Sequence, residues 1–394
     1  MSASSATVSR WTRAFVLAGV GWFVCWQAAV VAGLGRPAVV IGLYGFVLHT
    51  VFGKAYALVP SYFDRTLSFP RAPAVHLPLA TLGTAVVAAE GAGVLAPPWG
   101  TVGAISWALG CLVFVVTLAW SVRDNLTGRE TATSDAKAGR RRVDRFANAF
   151  VPVALGYLLV GSALPVGVAS GPLPTAGPPL THLFAAGTAA LFVFALGFRL
   201  LPRFLVVEPR WPLVAAVLPA GAAGPLLLAI AFGGGRLFHL GAGLQALALL
   251  GFAVAYVDMF ARSDRRRIGL VVVALAAVAA AGVALLGVSM AVGGIRPGVA
   301  AAHARLALVC FLGLAVVGVE YQFYPPSIAS AWGVDDRTAA IAAALLAVGV
   351  AVECGGLLAG SAVAIEGGRW LVLAGAVAHA VVLVAVFGAR RNRG

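Results

Sequence analysis

The chain reads as a series of long apolar stretches divided by short polar breaks. A helix needs about 20 apolar residues to cross a hydrocarbon layer roughly 30 Å thick. Twelve stretches reach that length: 14–34, 37–60, 73–96, 99–122, 146–168, 179–201, 211–234, 237–261, 268–292, 298–323, 338–359 and 367–388. They are too long and too uniformly apolar for the alternating strands of a membrane barrel. The pattern predicts an all-α polytopic membrane protein with twelve transmembrane helices.

Composition agrees. Of 394 residues, 61% are hydrophobic and 11% charged, far from the balance of a soluble domain. An ordinary cytosolic enzyme, a disordered chain and a disulfide scaffold are excluded. The four cysteines, Cys25, Cys111, Cys310 and Cys354, fall in predicted spans without CxxC spacing and read as buried apolar residues. The net charge of +14 sorts by side. With the N-terminus inside, 21 of the 28 Lys and Arg fall on the inner side and 4 on the outer. Lys54, Arg199 and Arg305 remain within helices. This is a positive-inside pattern, and it predicts a multi-pass protein of the cell membrane with both termini cytoplasmic. The expected partner of the charge is an anionic bilayer, not nucleic acid.

The basic loop 123–145, expected to be cytoplasmic, and the run Arg262–Arg267 divide the chain into units 11–122, 146–261 and 268–388. The second helix of each unit ends with an aromatic four residues before a proline: Tyr56 and Pro60, Phe198 and Pro202, Tyr321 and Pro325. His182 precedes Gly197 by fifteen residues, as His303 precedes Gly318. Glu90-Gly91-Ala92-Gly93 parallels Glu353-Cys354-Gly355-Gly356. Four helices per unit predict three parallel repeats, related by an axis along the membrane normal.

Ionisable residues inside a membrane are costly and face the protein interior or a wet cavity. His182, His303, His239, Arg305, Glu90 and Glu353 are expected in one outer layer. Imidazoles on facing helices at one depth can ligate haem iron or a copper or zinc ion. Glu90 and Glu353 would accept the second ring N–H, and Arg305 would pair with a haem propionate. The alternative is that these are interfacial residues at helix ends. Deeper, His49 lies on one face with Tyr56, with Gly53 leaving room there, and as an imidazole too deep to snorkel it is a further candidate for holding a cofactor. Lys54, Arg199 and Glu320 lie within six residues of the repeated proline. They form either an ion-pair cluster or, for the two cations, side chains that snorkel to the headgroups. His76 and His379 have no partner legible in the sequence. No Walker A sequence and no HExxH occur.

Twelve helices in three parallel four-helix units, with histidine on second helices, resemble the haem-copper oxidase subunit I superfamily. Within it, Gly45-Phe46-Val47-Leu48-His49-Thr50-Val51-Phe52-Gly53-Lys54 looks like the His-x-x-Phe-Gly stretch of the NnrS family. His182-Leu183-Phe184-Ala185-Ala186-Gly187, followed by Gly197-Phe198-Arg199, is similar to that family's later histidine helix. The resemblance implies haem or copper binding and a role in redox or nitric oxide stress, with a redox partner or another membrane subunit. Oxidases and nitric oxide reductases carry adjacent histidines that this chain, with six His and no such pair, lacks. A competent terminal oxidase or nitric oxide reductase is therefore not expected. Two other readings remain open. One is a secondary transporter or permease coupling through Lys54, His49 and Glu320. The other is a non-catalytic assembly subunit.

Overall fold

The computed structural model describes residues 3–167, 176–328 and 333–391. Residue 168 of the fifth predicted span lies outside them, and nothing is described for the side chains of the tail arginines Arg390, Arg391 and Arg393. Among the described residues there are helices and no strands. In lipid every backbone N–H and C=O needs an internal partner, and a helix supplies one within its own segment.

Among the described residues, twelve helices are long and apolar enough to cross a membrane. They are α1 (Ser5–Val31), α2 (Gly35–Tyr62), α3 (Ala72–Gly91), α4 (Trp99–Ser121), α5 (Asp135–Val166) and α6 (Pro178–Leu205). Then come α7 (Trp211–Ile230), α8 (Gly235–Arg262), α9 (Ile268–Gly293), α10 (Pro297–Ile328), α11 (Asp336–Ala359) and α12 (Ala362–Ala389). Each matches a predicted stretch, with some ends shortened where a helix stop precedes the end of the apolar sequence and others, at the starts of α1 and α5, extended through polar residues that continue the helix. The third helix, expected to reach residue 96, ends at Gly91; Ala92 caps it and Gly93 follows at φ +74°. The segment 123–145, read as a loop, is partly helical. The strongly amphipathic stretch Arg141–Asn148 lies in the first half of α5 and buries Asp144 against the protein.

Burial divides the helices into two shells. The apolar windows of α2, α6 and α10 are 78%, 83% and 67% buried, whereas the other nine lie between 33% and 56%. The nine form a surrounding layer with one flank left for lipid. Sequential neighbours pack in pairs, α3 on α4, α7 on α8 and α11 on α12, and α12 returns against α1. Small residues permit the closest approaches. A Cβ built on Gly269 of α9 would sit 2.4 Å from the carbonyl oxygen of Gly318 on α10.

The three central helices share a further feature. Each contains an eight-residue π-helical segment: Ile41–Leu48, Leu183–Ala190 and Leu306–Gly313. Each segment begins nineteen residues before the proline near its helix end, Pro60, Pro202 or Pro325. The three segments touch one another pairwise at the middle of the bundle. π-Helical turns are rare and cluster at functional sites. Val40, His182 and Arg305 directly precede their segments, whereas His303 stands three residues before its own. The equal spacing of His182 and His303 to a following glycine is thus not an equal position along the helix.

Candidate functional site

The π segments wall the larger of two cavities lying between α2, α6 and α10. It measures about 490 Å³ and is lined almost wholly by apolar side chains, among them Phe184, Phe232, Phe238 and Phe311. Its polar lining is sparse: Arg36, Tyr44, Thr181, His182, Gln245 and His303. Arg36 is exposed at the rim. The even-numbered helices end at the arginine-rich end of the bundle, and this cavity lies toward the opposite end.

His182 and His303 meet here. Their ring centroids are 6.4 Å apart and their planes 21° from parallel. His182 Nδ1 donates to the carbonyl of Pro178 at 2.8 Å, one turn back on its own helix. His303 Nδ1 donates to the carbonyl of Val283 on α9 at 3.1 Å. Both rings are thereby held in one tautomer, with Nε2 the unprotonated nitrogen. The ring of Phe232 lies tilted against His182, centroids 5.5 Å apart.

The other residues expected in that layer do not join the histidine pair. His239 is exposed, and its Nδ1 donates to Gly235 of its own helix at 2.7 Å. Glu90 accepts from the backbone N–H of Gly100 at 2.7 Å, closing the turn between α3 and α4, and touches no histidine. Arg305 points away from the cavity. Its Nε donates to Glu353 at 2.7 Å, its Nη2 to Gln27 at 3.0 Å, and its guanidinium lies over Trp26. Glu353 is shared with Arg369 at 3.1 Å. Two residues along a helix turn a side chain by about 200°, which separates Arg305 from His303. The carbonyls of Pro178 and Val283 do what Glu90 and Glu353 were expected to do.

His49 is fully buried, and both of its ring nitrogens have protein partners. Nδ1 donates to Tyr44 at 2.8 Å and Nε2 accepts from the Thr81 hydroxyl at 3.1 Å, so both nitrogens are taken. It sits among Phe15, Trp22, Phe52 and Trp107. His76, without a legible partner in the sequence, meets the hydroxyl of Tyr56 at 3.1 Å.

The expected cluster of Lys54, Arg199 and Glu320 divides in two. Arg199 is buried against the segment after α4. Its Nη1 donates to the carbonyl of Tyr62 and to Asn148 Oδ1, its Nη2 to Thr131 at 2.8 Å, and its Nε lies 3.4 Å from Asp144. Asp144 also holds Arg203 at 2.8 Å. Lys54 and Glu320 instead line the second cavity, about 90 Å³, nearer the arginine-rich end. Lys54 Nζ lies 4.2 Å and 4.0 Å from the ring centroids of Phe323 and Tyr324. Glu320 Oε2 is 3.1 Å from His379 Nε2, and His379 Nδ1 is 3.0 Å from the Tyr321 hydroxyl.

Among the described residues no three His, Cys, Asp or Glu side chains come together as a metal-holding group. Cys25 is exposed and Cys354 half-buried, against the expectation that all four cysteines are interior; Cys111 and Cys310 are buried. No family model matches the chain, and no curated protein matches it.

Proposed function

We propose that the protein is a redox membrane protein that holds one haem between His182 of α6 and His303 of α10. The pair itself carries this reading. Two imidazoles on facing helices a few ångströms apart would be able to hold one metal centre between them. The observed separation is 6.4 Å with nearly parallel planes. Each Nδ1 is anchored to a carbonyl, the usual arrangement behind a ligating histidine.

The rest of the cavity fits. A volume near 490 Å³ lies within the roughly 300–1,000 Å³ of cofactor pockets. The walls are aromatic and aliphatic, and Arg36 at the rim suits a carboxylate. With two histidines and, among the described residues, no third metal-ligating side chain grouped with them, a bare copper or zinc ion is poorly served. A macrocycle that brings four nitrogens of its own is well served. A haem so held supplies one-electron redox chemistry. The chain's part is to fix two tautomers, exclude water with Phe184, Phe232 and Phe311, and neutralise charge at Arg36.

The equal placement of three π segments before three prolines, on the three most buried helices, supports an architecture of three parallel four-helix units like that of the haem-copper oxidase superfamily. On this reading His182 and His303 would hold the haem toward the outer face, with both termini cytoplasmic, and the group would supply electron transfer and not oxygen or nitric oxide reduction. An NnrS-like role in nitric oxide stress would need one histidine to yield its place.

The test is an absorption spectrum of detergent-purified protein from haem-replete cells, air-oxidised and dithionite-reduced, with metal analysis on the same sample. A six-coordinate low-spin spectrum with iron near one per chain is expected. A colourless protein, or one carrying copper without haem, overturns the proposal. In that case transport or assembly becomes the better reading.

A further inference from the structure

The smaller cavity holds chemistry that the haem reading does not use. It lies between α2, α6 and α10, with Phe252 and Val273 closing its sides from α8 and α9. Lys54 and Glu320 are its two ionisable lining residues. Glu320 is wholly buried and so is His379. Glu320 spends Oε2 on His379, while its Oε1 is buried without a protein partner.

A buried carboxylate oxygen left unpartnered is expensive. Two remedies exist: a proton on the carboxyl group, or water. The cavity has room for water, about 90 Å³ against roughly 30 Å³ for each molecule. Lys54 and Glu320 give such a cluster a cation and an acid to bond. Every charged or titratable group facing Glu320 has a name. His379 comes from α12, Tyr321 from its own helix, and Lys54 from α2 across the cavity. The faces turned to it from α6, α8 and α9 are apolar, with Leu196, Phe252 and Val273.

We propose that this cavity is a hydrated proton-exchange site in which Glu320 takes up one proton from solvent, His379 and Tyr321 position the carboxyl group, and Lys54 sets how readily the proton is held. The step is a single transfer. An O–H bond of hydronium breaks, one forms on the Glu320 carboxyl group, and water remains in the cavity. No oxidant or cofactor takes part, so the site stands whether or not haem occupies the larger cavity. A carboxyl group that gains a proton beside an ammonium group changes the cavity by one full charge, which is the elementary requirement for coupling a proton to any other event in the bundle.

The test is infrared difference spectroscopy on the full chain in a lipid film, perfused between alkaline and acid buffers in H2O and in D2O. A carboxylic C=O band is expected to grow as pH falls, to shift down in D2O within minutes, and to vanish in Glu320→Gln. In Lys54→Met the pH midpoint of that band shifts, since the other ionisable residue lining the cavity is gone. A folded Glu320→Gln protein that keeps the whole band overturns the proposal. So does a Glu320 band that fails to exchange in D2O, because then water does not reach the site. Should Glu320→Gln not fold, Lys54→Met decides: an unchanged midpoint overturns the proposal.

Discussion

His182 and His303 stand on different helices and at different positions relative to their π segments, yet their rings lie 6.4 Å apart and 21° from parallel. Each is oriented by a backbone carbonyl, from Pro178 and Val283. Backbone anchors cannot be lost by a side-chain change, so the tautomer of each ring is a property of the fold.

This geometry separates the histidines by expected effect. His182→Ala and His303→Ala should each abolish the six-coordinate low-spin spectrum, leaving at most a five-coordinate or weakly retained haem. His239→Ala should leave haem content unchanged, because its ring is exposed and bound to its own helix. The pyridine haemochrome assay on the three variants checks this. Loss in His239→Ala equal to that in His182→Ala would remove the special status of the pair.

The twelve spans were legible because hydropathy reports length and apolarity, which is all that crossing a bilayer demands. The depths of His182 and His303 followed from the same count. Their partners did not. Arg305 and Glu353 were expected beside the histidines, but helical rotation turns Arg305 away from His303 to meet Glu353 of α11 and Gln27, and Glu353 also holds Arg369. His49 looked like a ligand because of its depth, but depth says nothing of Tyr44 and Thr81, which occupy its two nitrogens. The π segments leave no mark in an apolar run, since widening a helix by one residue in a turn changes no residue type. Asp144 was hidden in a run of arginines that reads as solvated loop. The signal was there in the periodicity: Val143, Asp144 and Ala147 share the buried side of a short amphipathic helix.

Helix packing gives a second prediction. A methyl group on Gly269 would sit 2.4 Å from the Gly318 carbonyl oxygen, and one on Gly318 would sit 2.6 Å from that of Gly269. Backbone cannot give way as a flexible side chain does. Gly269→Ala should destabilise by about 1–3 kcal/mol through overpacking, and α10 should carry His303 outward with it. Gly243→Ala, with nothing within 4 Å, should be neutral. Thermal unfolding in detergent, together with haem retention, compares the two.

The start of α11 predicts a local pH dependence. The Asp335 carboxylate accepts from the backbone N–H groups of Arg337 and Thr338, and Thr338 returns its hydroxyl to the Asp335 N–H at 2.8 Å. The backbone hydrogen bond from Thr338, followed by that residue's hydroxyl, holds the Asp335 carboxyl below its ordinary value. A folded value below the unfolded one means the contribution is complete above the unfolded value, near 4, and is lost as pH falls through the lower folded value. Amide exchange in the first turn of α11 should therefore accelerate only in that acid window. Asp335→Asn keeps an acceptor for the cap and should flatten the dependence. Equal acid sensitivity in Asp335→Asn would assign the effect to another group.

The buried pair of Arg199 and Asp144 makes the strongest claim on stability. Arg199 is 1% exposed and Asp144 also 1%, and between them they fasten the segment 123–148 to α2 and α6. Removing one partner strands a charge in the interior, which costs about 3–5 kcal/mol in comparable buried pairs. Asp144→Ala leaves Arg199 with neutral acceptors at Tyr62, Asn148 and Thr131, and it also releases Arg203. Arg199→Leu leaves Asp144 with Arg203 and the Thr133 hydroxyl, so the milder loss is expected there. The double variant Asp144→Ala/Arg199→Leu should be destabilised by clearly less than the sum of the two single changes, because it strands neither charge. A double-mutant cycle on thermal unfolding measures this directly. Strict additivity would mean that the two residues act on stability independently, despite the 3.4 Å between Nε and Oδ1.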